Sequence, residues 1–218
     1  MIQLYHCADA RSFRPLWTLE EMGLDYELTM LPFPPRVLAK DYMALNPLGT
    51  IPLLVDGETR MTESAAICQY LVTRHGPSPL AVGVDEPAYG AFLNGLHFGE
   101  ATLTFPQTLV LRYTRLEPQE RRLPQAAEDY RKWFLARLRA VDAVVSETEW
   151  LCAGRFTAAD ISVGYALLLA NTLGMSDAFS APVKAYWARL QARDGLQRAK
   201  AAQMKVAAEQ GLEGALRV

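Results

Sequence analysis

The chain has 218 residues, half of them hydrophobic, with 22 basic and 24 acidic side chains giving a formal net charge of −2. This composition suits a soluble globular protein of one large or two small domains, and it lacks the basic excess of a nucleic-acid-binding surface. Three widely separated cysteines (Cys7, Cys68, Cys152) and three histidines without ligand spacing (His6, His75, His97) argue against a disulfide framework and against a metal site.

Ile2 to His6 is a short apolar run that predicts a buried strand. From Ser12 the spacing of Leu16, Leu19, Glu20 and Gly23 predicts a helix stopped by the glycine. Between Asp25 and Leu31, Tyr26, Leu28 and Met30 alternate with polar neighbours, the pattern of a second strand. Pro32, Pro34 and Pro35 forbid regular structure, and Leu38 to Leu45 has the pattern of a short helix. Ile51 to Val55 predicts a strand, Asp56-Gly57 a hairpin turn into Glu58–Met61, and Glu63 to Arg74 a helix ended by Gly76 and Pro77. The order βαβ, helix, hairpin, helix fits a small mixed sheet with helices on its faces.

The segment Gly76-Pro-Ser-Pro-Leu-Ala-Val-Gly reads as a linker. Beyond Asp85 four helical patterns follow, 86–113, 123–147, 158–173 and 182–204, the first bent at Pro106. The expected domains are therefore 1–77 and an all-helical 86–218, joined by 78–85. Thr157-Ala-Ala-Asp160 forms a capping box with Asp in the place of Glu, and Phe156 and Ile161 supply a hydrophobic staple, so this motif is structural. The N-terminal MIQLYHCADAR has no basic region leading into a long apolar run, and no apolar stretch is long enough to span a bilayer. A cytoplasmic protein without membrane association is the expectation.

Two stretches carry chemistry. In Asn46-Pro-Leu-Gly-Thr-Ile-Pro52, a proline at the entrance to a strand suits a cis peptide, which for X–Pro costs only about 0.5–1 kcal/mol over trans. A cis bond there presents the backbone of Ile51 to an extended peptide, in the manner of an added strand; an ordinary proline-bounded loop is the alternative. In Thr62-Glu63-Ser64 a helix begins, and its free amides and positive end suit a carboxylate. Ser64 can add a hydroxyl and Glu63 can accept from an ammonium, a pairing that suits an amino-acid headgroup. Plain helix capping is the alternative there.

Taken in order, the first strand, Ala10-Arg11-Ser12-Phe13-Arg14-Pro15, NPLGTIP and TESAAICQYL resemble the N-terminal domain of the cytosolic glutathione transferases. LHFGEATL (Leu96–Leu103) and RFTAADISVGYALL (Arg155–Leu168) resemble segments of that family's helical domain. The resemblance covers about residues 2 to 200 and leans toward bacterial beta-like or related serine-type classes. It implies a thioredoxin-like α/β domain followed by an all-α domain, and glutathione as co-substrate. By the resemblance Ile51 and Pro52 meet the cysteinyl part of glutathione, Glu63 and Ser64 hold the γ-glutamyl group, and Thr50 stands where relatives often carry Lys or Gln. Lys40 is placed to reach the glycyl carboxylate, a solvated surface lysine being the alternative. The position matching the beta-class cysteine is Arg11, and the earlier serine position is Ala10. Ser12 is then the hydroxyl expected to activate the thiol, with Arg11 as an electrostatic aid; capping the first helix is its other reading.

The implied activity is conjugation of the glutathione thiolate to small hydrophobic electrophiles, a detoxification chemistry. The acceptor is expected against helical residues such as Phe105, Leu109 and Tyr113. A homodimer is implied too, with Glu100 approaching the glutathione of the neighbouring subunit; a solvated helix-face carboxylate is the other reading of Glu100. The alternatives are a glutathione-dependent reductase or lyase and a non-catalytic binding scaffold. A thiol-disulfide oxidoreductase fits less well, because the cysteine it needs at the start of the first helix is replaced by Arg11.

Overall fold

The computed structural model describes residues 1–212. It divides into two compact units: Met1–Ser78 together with the chain from Gln191, and Pro79–Leu190.

The first unit is built on four strands, β1 (Ile2–His6), β2 (Tyr26–Met30), β3 (Leu53–Asp56) and β4 (Thr59–Met61), in the sheet order β2-β1-β3-β4. β1 and β2 run parallel, with Leu4 opposite Leu28, while β1–β3 and β3–β4 are antiparallel. This is the small mixed sheet that the order of elements predicts, and the thioredoxin-like domain that the family resemblance implies. Helix α1 (Phe13–Met22) crosses from β1 to β2 and ends at Gly23. Its buried Leu16, Trp17 and Leu19 join Leu4, Leu54, Ile67 and Leu71 in the core, where each large side chain contributes about 1.5–3 kcal/mol by leaving water. The β3–β4 loop is Gly57-Glu58, since Asp56 pairs with Thr59. Gly57 takes φ +60°, as the first central residue of a tight two-residue hairpin requires. Asp56 then accepts from Tyr70 at 2.9 Å and meets His75 at 2.7 Å, tying the hairpin to helix α3 (Ser64–Arg74) and its end.

The proline segment departs from expectation. A single helical turn, α2 (Pro35–Leu38), starts on Pro35 itself, and a 3₁₀ turn at Lys40–Ala44 follows in place of one helix over 38–45. Proline is tolerated at the first helical position because its missing N–H has no partner there anyway.

The second unit contains α4 (Tyr89–His97), α5 (Phe105–Leu111), α6 (Pro124–Val145), α7 (Ala158–Thr172) and most of α8 (Ala181–Gln191). The predicted helix 86–113 is a continuous run, but two π-helical turns, Phe98–Thr104 and Arg112–Leu116, flank α5. The first precedes Pro106, whose ring would clash with the carbonyl four residues earlier in an ordinary α-helix. α7 is buried on every side from Ala158 to Ala170. Its capping box is present: the Thr157 amide donates to Asp160 at 2.8 Å, and Asp160 also accepts from the Leu151 amide and the Tyr186 hydroxyl. α4 at Gly95 and the π-helical turn after it at Gly99 touch α7 closely, and a Cβ on Gly99 would lie 2.5 Å from Ser162. The expected linker is pinned down rather than loose. Arg155 donates to the carbonyls of Pro79 and Ala81 and pairs with Glu86 at 2.9 Å.

The predicted helix 182–204 is two helices, α8 and α9 (Asp194–Glu209). The break places α9 in the first unit, packed on α1. There Arg193 grips Glu21 through two bonds of 2.7 and 2.8 Å, and Arg198 pairs with Glu20. Gly195 faces Glu21 so closely that any side chain would collide with it. Gln210 accepts from the Met30 amide at 2.9 Å. Among the described residues, no helix is long and apolar enough to cross a membrane.

Candidate functional site

Three segments of the first unit meet at the ends of β1 and β3. Pairing of Tyr5 with Leu53 carries the chain beyond β1 alongside Pro52 and Ile51. The Ile51–Pro52 peptide is cis, as expected, and so are Phe33–Pro34 and Gly76–Pro77. Among the described residues the backbone of Ile51 makes no hydrogen bond. The turn leading to it is organised by buried Asn46, whose amide donates to the Thr50 carbonyl at 2.8 Å while its Oδ1 accepts from the Leu48 amide. The Tyr42 hydroxyl holds the same Thr50 carbonyl at 2.8 Å.

The second segment is the start of α3. Exposed Glu63 is its N-cap residue, and buried Ser64 opens the first turn. Ser64 accepts from the guanidinium of Arg14 at 3.3 Å. Arg14 is fully buried, a rare location for an arginine, and links α1 to this helix start. Its only sequence signal is a charge set among the apolar positions of a helix, and the sequence reading passed over it.

The third segment is the loop Cys7–Ser12 between β1 and α1, which carries the half-buried Arg11. Ser12 stands at the cap position of α1 but makes no capping bond. Its hydroxyl is fully buried and lies 2.6 Å from His6 Nδ1, and it accepts from the Cys7 amide at 3.3 Å. The direction of these bonds follows from Gln203 on α9. Gln203 Nε2 donates to Asp9 Oδ1 at 2.7 Å, so its Oε1 faces both the Asp9 amide at 3.2 Å and His6 Nε2 at 2.9 Å. Oε1 accepts only, so His6 Nε2 must carry the proton. Burial pulls the His6 pKa down to about 4, against small opposing effects from Gln203 and Asp9, so the ring is neutral and Nδ1 is an acceptor. The Ser12 hydroxyl therefore donates its hydrogen bond to His6 Nδ1.

The other expected site residues are spread more widely. Lys40 is exposed and lines a cavity of about 540 Å³ with Tyr5, Leu31, Leu38 and Tyr42; Thr50, Ile51, Glu63 and Ser64 do not line it. Glu100 lies in the first π-helical turn of the second unit. All three cysteines are buried, and burial raises the Cys7 thiol to about 12, so it carries no thiolate at neutral pH.

Residues 10–74 match the family described as "Glutathione S-transferase, N-terminal domain". A glutathione S-transferase of Hypomyces subiculosus is 31% identical over 171 residues, covering 74% of this chain and 78% of that protein. The glutathione S-transferase GstA of Escherichia coli O157:H7 is 26% identical over 209 residues, 93% of this chain and 98% of that one. Among solved structures, a glutathione transferase of Phanerochaete chrysosporium with oxidized glutathione aligns with a TM-score of 0.82 at 21% identity, over 95% of this chain and 96% of that one.

Proposed function

The chain belongs to the glutathione S-transferase family, and from that premise we propose that it conjugates the glutathione thiolate to small hydrophobic electrophiles, as a cytoplasmic homodimer of a class without an active-site cysteine. The observation that carries the reading is the cis Ile51–Pro52 peptide, whose Ile51 backbone makes no hydrogen bond among the described residues, together with the start of α3, where Ser64 accepts from the buried Arg14; the antiparallel register that pairs Leu54 with Met61 runs the two segments toward each other. An extended peptide docks on such a backbone by main-chain hydrogen bonds. Its γ-glutamyl carboxylate suits the amides and positive end of α3, and its ammonium suits Glu63. In this reading Thr50 borders the cysteinyl part, Lys40 takes the glycyl carboxylate, and the partner subunit's Glu100 approaches the glutathione amine.

The chemistry then needs a thiolate. A thiol of pKa about 8.5 is mostly protonated at pH 7, and lowering it by roughly two units takes about 2.7 kcal/mol of preferential thiolate stabilisation. The proton of Ser12 is engaged by His6, so direct donation from Ser12 to sulfur requires that bond to break. The geometry favours a different division of labour. In this reading Arg11 meets the sulfur and Ser12 braces the loop that presents it, since the first amides of α1 are engaged: Phe13 and Arg14 donate to the carbonyls of Ala10 and Arg11, and Pro15 has no N–H.

Calorimetry of glutathione binding tests the reading. Glu63→Ala and Ser64→Ala are expected to weaken binding roughly tenfold each, about 1.4 kcal/mol for a charged or charge-assisted hydrogen bond. Turnover across a panel of electrophiles accompanies it. Unchanged affinity in both variants would overturn the headgroup assignment, and binding without turnover would favour the scaffold alternative. Light scattering at micromolar concentration checks the dimer, and a monomer there would defeat it.

A further inference from the structure

The last helix enters the loop between β1 and α1 through one side chain. We propose that Gln203 is a positioning residue for that loop, fixing the path of Asp9, Ala10 and Arg11 and thus the groups that meet the sulfur of glutathione; the catalytic half of this inference rests on the function proposed above.

Asp9 is one of two non-glycine residues in the described chain with positive φ, at 56°. Outside glycine this left-handed conformation is disfavoured, though Asp and Asn adopt it more readily than other residues, and it persists where surrounding bonds hold it. Gln203 supplies those bonds in pairs. Its carbonyl accepts from the Asp9 amide and its amide donates to the Asp9 carboxylate, closing a ring around this one residue. The same carbonyl accepts a hydrogen bond from His6 Nε2 and so orients the ring that accepts from Ser12 at the other end of the loop. Both ends of the Asp9–Ser12 turn are therefore referred to one atom, Gln203 Oε1.

The turn is then completed by Ala10 N–H to the Cys7 carbonyl at 3.1 Å and Phe13 N–H to the Ala10 carbonyl at 2.8 Å, which set the direction in which Arg11 leaves the backbone. Gln203 is 4% exposed, so the arrangement is not averaged away by solvent. Its task needs a neutral side chain that donates from one atom and accepts at another within the same plane. An amide of this length does both at neutral pH without taking a charge.

The test uses the full chain and a charge-shape swap. Gln203→Glu keeps the size and the acceptor but turns the donor into an oxygen facing the Asp9 carboxylate. Adding Asp9→Asn restores a donor on the opposite side, with the bond reversed. Three quantities are read in wild type, single and double variants: kcat with a reactive aryl halide, the glutathione Kd, and hydrogen exchange of the Asp9 and Ala10 amides. Gln203→Glu is expected to lower kcat roughly ten- to hundredfold, the scale of a small misplacement of reacting groups, with Kd changed less than about threefold. Exchange at Asp9 is expected to accelerate, and the double variant is expected to recover both. An unchanged kcat and exchange rate in Gln203→Glu overturns the proposal. So does a loss of both that Asp9→Asn does not reverse, because that is the mark of general destabilisation. If wild type neither binds nor turns over glutathione, the functional reading falls on its own, and the exchange measurements still decide whether Gln203 holds the loop.

Discussion

His6 converts the network around Ser12 into a measurable dependence of stability on acidity. In the folded protein its pKa is held near 4 because the ring is buried, whereas in an unfolded chain it titrates near its ordinary 6.5. A depressed folded pKa means that between these values the unfolded chain takes up a proton that the folded one refuses. The stability that depends on a neutral His6 is present above pH 6.5 and is lost as pH falls toward 4. A gap of about 2.5 units corresponds to about 3 kcal/mol in full, and about 2 kcal/mol of it is gone by pH 5. For a chain of this size that shifts a cooperative melting temperature by roughly 4–8 °C between pH 7 and pH 5.

The perturbation is His6→Gln, which keeps a donor toward Gln203 Oε1 but cannot titrate. The assay is urea or thermal unfolding of both proteins at pH 7 and pH 5. The variant is expected to be less stable at pH 7, because Ser12 loses its acceptor, but its loss on acidification is expected to be smaller than that of wild type by about 2 kcal/mol. Carboxylates contribute equally to both proteins and cancel in the comparison. Equal losses would refute the argument that a neutral, buried His6 accepts the Ser12 hydrogen bond.

Where the π-helical turn after α4 meets α7, Gly99→Ala forces a methyl group to within 2.5 Å of Ser162, whose hydroxyl already donates to the Leu96 carbonyl. The expected cost is about 1–3 kcal/mol, read as a lower urea midpoint, and a neutral result would show that the two helices can move apart freely. In native protein at pH 7, a thiol-alkylating reagent followed by mass spectrometry should modify none of Cys7, Cys68 and Cys152 until urea is added. Rapid labelling of Cys7 would reopen the oxidoreductase reading.

The first unit was legible wherever the signal was local. β1 was placed to the residue, α1 ended at the glycine that stops it, and Asp56-Gly57 announced the hairpin, although its two loop residues are Gly57 and Glu58 because Asp56 pairs with Thr59. β3 begins at Leu53, two residues later than expected, because Pro52 has no N–H to give to the ladder. The start of α3 and the cis peptide at Pro52 could likewise be read from short motifs. What escaped was the work of partners distant in sequence. Ser12 has both readings open to it at the level of sequence, activation of a thiol or capping of α1, and its hydroxyl makes no capping bond because it lies against His6. That outcome depends on Gln203, 197 residues from His6, and no local pattern announces such a contact. Arg14 escaped for a related reason, since a charge on a helix normally predicts a solvated face. The break between α8 and α9 carried a weak signal in Arg193-Asp194-Gly195, outweighed by helix-forming neighbours on both sides.

That break has a consequence for how the molecule is made. The chain leaves the first unit at Ser78 and re-enters it at Gln191, so the second unit is threaded in as one long excursion. During synthesis the sheet, α1 and α3 emerge first, but the ion pairs of Arg193 and Arg198 and the amides of Gln203 and Gln210 arrive last. Until then the surface of α1 that α9 covers stays bare, and the loop bearing Arg11 lacks its tether. The N-terminal half of the molecule is thus the last to be finished, and a nascent or truncated chain ending before about residue 203 holds a sheet domain without a completed site.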